Sequence, residues 1–250
     1  MGKWGCGNAS RADAVWKRKY QERAKECERK VMNHPAKFTD AFFEVFSEML
    51  NGCSSVFDPF AGTGKIGKLK QYGFTGEIYA NEIEPEWLSP NEHMCDVLTF
   101  CDAEFLDYPE SHFDAICTSP TYGNRMADHH NAKDRSKRNT YTHCLGHQLA
   151  QGNTGKMQWG QEYREKHERV YRHIAKMVKP GGKFVLNIKN HIRRGVEIDV
   201  VAFHEATLKN CGFEMIDKRA IETPSLKYGA NADKRLPIEY IILFRKDDSE

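Results

Sequence analysis

The hydrophobic pattern changes character twice along the chain. Ala12, Trp16, Tyr20, Ala24, Cys27 and Val31 recur at three- and four-residue spacing, which predicts one apolar helix face running to about Met32. Ser10 with Asp13 reads as the capping box of that helix. Pro35 restricts His34 to an extended shape and breaks the pattern. A second helix is predicted from Asp40 to about Leu50, capped by Thr39 and stopped by Asn51-Gly52. Beyond it, short apolar runs alternate with helical ones. Strands are expected near 55–58, 77–82, 97–101, 113–118, 183–189, 213–221 and 238–245, and helices near 64–72, 160–178 and 200–211. Such alternation predicts an α/β, Rossmann-like doubly wound sheet of seven mostly parallel strands. The last two strands are joined by the loop-like "TPSLKYGANADKRLP", which predicts an antiparallel edge to that sheet. Residues 123–160 resist the scheme: they are polar, rich in Gly, His, Asn and basic residues, and without periodicity. An insertion of this length inside a compact domain is usually functional or mobile.

The length, 250 residues, suits one domain covering 1–250, with an N-terminal helical segment (1–50) and an inserted loop (123–160). A hydrophobic fraction of 40% and a charged fraction of 29% place the chain among soluble globular proteins. No apolar run reaches membrane-spanning length, and "MGKWGCGNAS" has no apolar core to act as a secretory signal, so a cytoplasmic location is expected. The eight cysteines form no CxxC pair and read as free thiols. The net charge is only +2, yet basic residues gather in 1–30 and again in 123–143, which suits a polyanion bound along one face.

"VFDPFAGTGKIG" places Gly62-x-Gly64-x-x-Gly67 between a predicted strand and a predicted helix. A P-loop needs GxxxxGK followed by Ser or Thr; here Ile66 follows Gly64-Lys65 and Pro59 occupies the first glycine position. A dinucleotide site survives the spacing, but Asp58 would set a carboxylate against the pyrophosphate, and like charges in a dry crevice are costly. S-adenosylmethionine reverses the sign of that contact, since its sulfonium and ammonium groups are cationic. Gly62 and Gly64 would then let the backbone approach the cofactor. Glu82, ending the second strand in "IYANEIEP", could accept both ribose hydroxyls, and Asp102 in "FCDA" could accept from the adenine amino group.

Taken together, these segments resemble the class I S-adenosylmethionine-dependent methyltransferases, and within them the phage-type DNA amino-methyltransferases of adenine N6 or cytosine N4. The family's DPFxGxG motif is matched by Asp58-Pro59-Phe60-Ala61-Gly62-Thr63-Gly64. Its (D/N/S)PP(Y/F) motif is approached by Ser119-Pro120-Thr121-Tyr122, with Thr121 in place of the second proline. "NHPAKF" (33–38) fits the upstream cofactor segment and "VKPGGKFVLNI" (178–188) the post-catalytic one, so the likeness covers about 33–190. The resemblance implies the class I methyltransferase fold and a cofactor site of His34, Pro35, Lys37, Phe38, Asp58, Pro59, Phe60, Ala61, Gly62, Thr63, Gly64, Glu82, Ile83, Asp102, Ala103 and Ser119. It implies catalysis by Ser119, Pro120, Thr121 and Tyr122, with no metal.

An exocyclic base amine is a poor nucleophile because its lone pair is delocalised into the ring. Ser119 Oγ and the Pro120 carbonyl could accept from that NH₂ and favour a pyramidal nitrogen, while Tyr122 stacks on the base. A base in duplex DNA must first be flipped out. Ser-first motifs lean toward cytosine N4. Arg125, Lys133, Arg135, Lys137 and Arg138 are the candidate phosphate contacts, and Tyr141 and Trp159 the candidate aromatics beside bases. The expected partner is DNA, with RNA as the alternative substrate. A nicotinamide-dependent oxidoreductase and a non-catalytic binding protein are the remaining alternatives.

Overall fold

A computed structural model of the chain describes residues 40–88, 94–123, 140–223 and 236–248. The expected helix near 10–32, the cap Thr39, the segment His34–Phe38 and the basic residues Arg125 to Arg138 lie outside the described residues. Helix α1 (Ala41–Met49) buries Phe42, Phe43, Phe46 and Met49 on one face. Asp40 sits at its start without a side-chain capping bond and holds Lys68 at 3.0 Å instead.

The strands are β1 (Ser55–Asp58), β2 (Glu77–Asn81), β3 (Val97–Thr99), β4 (Phe113–Thr118), β5 (Val178–Ile188), β6 (His191–Arg193), β7 (Val196–Ile198), β8 (Phe213–Glu222) and β9 (Ile238–Lys246). Strands β6 and β7 pair with each other, and the other seven form one sheet in the order β3-β2-β1-β4-β5-β9-β8. Strands β1 to β5 run parallel, and β9 lies antiparallel between β5 and β8. The chain therefore winds outward from β1 in one direction, then restarts at β4 in the other. Between β1 and β4 the connections leave on opposite sides and open a crevice at the strand tips.

Both faces of the central strands are buried, and their side chains alternate between two cores. Along β5, Phe184, Leu186 and Ile188 join the layer under helices α3 (Gln161–Met177) and α4 (Val200–Asn210). Val185 faces the other layer, under α1. Phe57 of β1 stacks on Phe113 of β4 at 4.8 Å between ring centroids. The β4–β5 pairing shifts register between Phe113 and Ala115, the extra residues lying in β5 between Val178 and Lys183, and Phe113 and Ile116 share that core.

Three elements differ from the sequence pattern. The helix expected at 64–72 is a 3₁₀ helix, Lys65–Tyr72, bounded by left-handed Gly64 and Gly73. Gly67 in its interior weakens α-helix formation in a segment already too short to nucleate well. Strand β5 begins at Val178 rather than 183. A two-residue turn, Arg194-Gly195, with φ of 52° and 79°, joins β6 to β7 in a small hairpin. The insertion holds a short helix α2 (Tyr141–Leu145) and a 3₁₀ turn at Thr154–Lys156. Its base is closed where Trp159 N donates to Gly123 O at 2.8 Å.

Because Phe57 is wholly buried, Phe57→Ala is expected to cost about 3–5 kcal/mol of unfolding free energy. Equilibrium denaturant unfolding measures this.

Candidate cofactor and acceptor site

The tips of β1, β2, β3 and β4 meet at a few hydrogen bonds. Asn81, at the end of β2, is 1% exposed and uses its whole amide. Its Nδ2 donates to Pro59 O (3.1 Å) and Cys101 O (3.0 Å), and its Oδ1 accepts from Thr99 Oγ1 and Cys101 N. One side chain thus ties the loop after β1 to the end of β3. Asp58 ends β1, and its Oδ1 accepts from Thr118 Oγ1 (2.6 Å) at the end of β4 and from Phe60 N (3.0 Å). The loop Pro59–Gly64 then turns back with Gly62 and Gly64 at φ of 55° and 78°, a region open to glycine at little cost. Gly62 N donates to Glu82 Oε2 at 2.9 Å.

The charges here are unevenly compensated. Asp58 is fully buried, and its Oδ2 has no hydrogen-bond partner among the described residues. Burial pushes its carboxyl up to about 7 against the opposing bonds from Thr118 and Phe60 N. Burial likewise pushes Glu82 up to about 8, helped by the charges of Glu84 and Asp58. Among the described residues, Glu82 accepts from the backbone of Gly62 and Glu84 only. Asp102 is in the opposite situation. Both its oxygens lie 2.7 Å from Nζ of Lys166, a lysine 4% exposed, while Oδ1 also caps Glu104 N.

These tips enclose a cavity of about 290 Å³. Pro59, Phe60, Ala61, Gly62, Thr63, Glu82, Ile83, Asp102, Ala103, Ser119, Pro120, Thr121 and Tyr122, all singled out by the sequence motifs, line it. Asp58 and Gly64 do not; they shape its wall from behind. Lys65, Asn81, Trp87, Cys101, Gly152, Asn153, Thr154, Asn187 and Glu239 also line it, and sequence reasoning misses them. Glu239 is the second residue of β9, the strand antiparallel to β5, so no local motif announces it.

The insertion contributes to this cavity. Tyr141 is 8% exposed, lines the cavity and meets Trp87 edge-on at 6.3 Å. Trp159 packs against Tyr163 and Phe203 with its backbone tied to Gly123 and Arg193. Tyr141 thus stands at the cavity wall, and Trp159, half-buried, packs beside it on the core side. Residues 150–154 close the cavity. Ala150 N and Asn153 Nδ2 donate to Glu84 Oε1, and Thr121 Oγ1 donates to Thr154 Oγ1 at 2.9 Å. Tyr122 bonds Ser119 through its hydroxyl at 3.1 Å. Among the described residues no cluster of three His, Cys, Asp or Glu side chains could hold a metal ion, and no helix is long and apolar enough to cross a membrane.

The same arrangement of sheet and helices recurs in solved structures. A [4+2]-cyclase, SpnF, matches at a TM-score of 0.53 and 14% identity over 93% of each chain. An S-adenosylmethionine-dependent methyltransferase from Methanosarcina mazei matches at 0.52 and 12% identity over 86% of this chain and all of that one. The fold is the class I methyltransferase fold. A putative DNA modification methylase from Thermus thermophilus matches at 0.36 and 17% identity over 57% of this chain; the match spans about half, 48%, of that longer protein. No family model matches the chain, and no curated protein does. At such identities the likeness establishes the fold, and one fold hosts several chemistries, as the cyclase shows; the reaction is read from the site.

Two measurements follow from this geometry. Gly152 has φ of 90°, and a Cβ there would lie 2.2 Å from Asp102 Oδ2. Gly152→Ala is expected to destabilise the fold by about 1–3 kcal/mol in thermal or denaturant unfolding. The second concerns pH. Asp58 and Glu82 are raised from 3.8 and 4.5, so the folded state holds protons that the unfolded chain has lost, and stability falls as pH rises toward about 7 and 8. Burial lowers His167 to about 4 and His204 well below 6.5, which makes stability rise with pH up to about 6.5 and then stop contributing. A net fall between about pH 6.5 and 8.5 is therefore expected in the ligand-free protein, and Glu82→Gln should flatten it.

Proposed function

We propose that the chain is an S-adenosylmethionine-dependent methyltransferase acting on an exocyclic amino group of a DNA base, cytosine N4 or adenine N6. An RNA base amine is the second reading, on the same residues. Residues 1–250 form one domain in this reading, with 123–160 as its insertion. The observation that carries it is a pair of buried carboxylates, Asp58 and Glu82, bonded to no lysine or arginine among the described residues, beside the Ser119–Tyr122 loop. A site with this electrostatic deficit favours a cationic ligand over a pyrophosphate. The Asp58-to-Gly64 and Ser119-to-Tyr122 motifs supply the family, and the Thr118–Asp58 bond brings the two motifs to one cavity.

The residues fit the cofactor. Asp58, behind the cavity wall with one oxygen unpartnered among the described residues, suits a cationic group nearby, and Gly62 lines the cavity without a side chain. Glu82 lines the cavity and keeps carboxylate lone pairs beyond its two backbone donors, enough for ribose hydroxyls. When bound, the cofactor supplies an electrophilic methyl on a sulfonium. Ser119 Oγ and the Pro120 carbonyl accept from the substrate NH₂ and orient its lone pair. Tyr122 holds Ser119 Oγ. Burial raises the Tyr122 hydroxyl far above its ordinary range, so it remains a neutral phenol and acts as a hydrogen-bonding group, not a base. DNA as substrate rests on the motif resemblance and on the basic residues Arg125, Lys133, Arg135, Lys137 and Arg138.

Thermal shift and calorimetry test the cofactor: S-adenosylmethionine should raise Tm and NAD should not. Asp58→Asn is expected to weaken cofactor binding by about tenfold or more. Ser119→Ala should leave that affinity within about twofold and lower turnover about a hundredfold, followed by nucleoside mass spectrometry of methylated DNA and RNA. An unchanged affinity in Asp58→Asn would remove the cofactor assignment.

A further inference from the structure

Behind the Ser119–Tyr122 loop runs a buried line of polar side chains that the proposed reaction does not use. Tyr163 on α3 bonds the carbonyl oxygen of Thr121 through its hydroxyl. The same hydroxyl lies 2.8 Å from His204 Nε2 on α4. His204 Nδ1 lies 2.8 Å from the hydroxyl of Tyr171, two turns further along α3. Tyr163, Tyr171 and His204 are each fully buried.

Chemistry fixes the direction of every bond in this line. A carbonyl oxygen can only accept, so Tyr163 spends its single proton on Thr121 O. Its oxygen must then accept from His204, which places the proton on Nε2. A neutral imidazole carries one proton, so Nδ1 accepts from Tyr171. His204 is held neutral by burial among Tyr163, Tyr171, Phe203 and His167, with no carboxylate bonded to it among the described residues. The order is Tyr171 O–H to His204 Nδ1, His204 Nε2–H to Tyr163 O, Tyr163 O–H to Thr121 O. Bonds aligned head to tail polarise one another in a low-dielectric interior.

We propose that Tyr171, His204 and Tyr163 form a one-way hydrogen-bond chain that positions the acceptor loop through the Thr121 carbonyl. This rests on the reading of Ser119–Tyr122 as the acceptor side of a methyl-transfer site. A proline would restrict its own φ at position 121; Thr121 has no ring to do so. It is held instead from two sides, by the Tyr163 hydroxyl on its carbonyl and by Thr154 on its Oγ1. The three residues are positioning residues: none of them lines the cavity.

Tyr163→Phe removes one hydroxyl and keeps the ring. It is expected to lower kcat for methyl transfer about 10- to 100-fold while leaving the cofactor Kd within about twofold, since small misplacements of a reacting group cost rate rather than cofactor affinity. Tyr171→Phe should give a smaller fall, because His204 keeps its bond to Tyr163 and its Nε2–H tautomer, and loses only the hydroxyl that donates to Nδ1. A Tyr163→Phe enzyme with unchanged kcat, or with kcat and cofactor affinity lost together, overturns the proposal. Nitrogen-15 NMR of histidine-labelled wild-type protein reads the same arrangement without activity or mutation. His204 should appear as the neutral Nε2–H tautomer throughout about pH 5.5–8; the Nδ1–H form or a titration in that range overturns the chain. Failure of the wild type to methylate any nucleic acid would count against the proposed function alone, because the tautomer still decides the hydrogen-bond chain.

Discussion

The bond from Thr118 Oγ1 to Asp58 Oδ1 joins the two halves of the site at the place where the sheet changes direction. The backbone pairing of β1 with β4 reaches Phe57 and Ile116, and this bond carries the link on to the residues from which the two loops leave. At 2.6 Å and fully buried, the hydroxyl–carboxylate contact sets the glycine loop and the Ser119–Tyr122 loop at a fixed offset. It also occupies one oxygen of Asp58 and leaves the other without a partner among the described residues. The same residue therefore serves as a structural tie and as the centre of the unbalanced charge. Asn81 does the corresponding work on the other flank, with a neutral amide, so it adds rigidity without charge.

The cavity is finished by the insertion, and the insertion needs the strand tips as much as they need it. Residues 150–154 have almost no regular structure of their own. Their order comes from Glu84, which accepts from Ala150 N and Asn153 Nδ2, and from Thr121, which donates to Thr154. The segments leaving β2 and β4 thus hold one loop, and the loop in turn walls the cavity at Gly152, Asn153 and Thr154. A change in the loop would reach the Ser119–Tyr122 loop through the Thr121–Thr154 hydroxyl pair.

Much of this is legible in the chain because it is local. The seven strands of the sheet follow from short apolar runs between helical stretches, and the glycine loop from glycines at fixed spacing after an acidic strand end. The 3₁₀ helix at Lys65–Tyr72 reads as α because periodicity alone does not separate the two forms at that length. The neighbours of β9 are legible only as an antiparallel end; that it slots between β5 and β8 depends on long-range pairing. Asn81, Lys166, Gly152 and Glu239 carry no signal in their own neighbourhoods. Each acquires its place from parts of the chain remote in sequence, as Lys166 does from Asp102 and Asn81 from Cys101. Tyr141 and Trp159 stand out in a polar stretch, but the partners they pack against, Trp87 and Phe203, come from remote parts of the chain.

Lys166 sharpens where a positive charge would be held. Of the acidic residues at three successive strand ends, Asp102 already has its cation, at 2.7 Å from both oxygens, and Glu104 shares that lysine together with Arg169. The β3 end of the cavity is therefore close to neutral and is suited to a polar, uncharged group. Asp58 and Glu82, at the β1 and β2 ends, have only backbone and hydroxyl donors among the described residues, and their raised proton affinity is the consequence of that deficit. A neutral end beside an acid-rich end matches a ligand with a heterocycle at one extremity and its positive charge concentrated elsewhere. A dinucleotide, with its negative charge in the middle, would set that charge against Glu82 at the cavity wall with Asp58 behind it, so the pattern of compensation disfavours a cofactor that the glycine spacing alone leaves open.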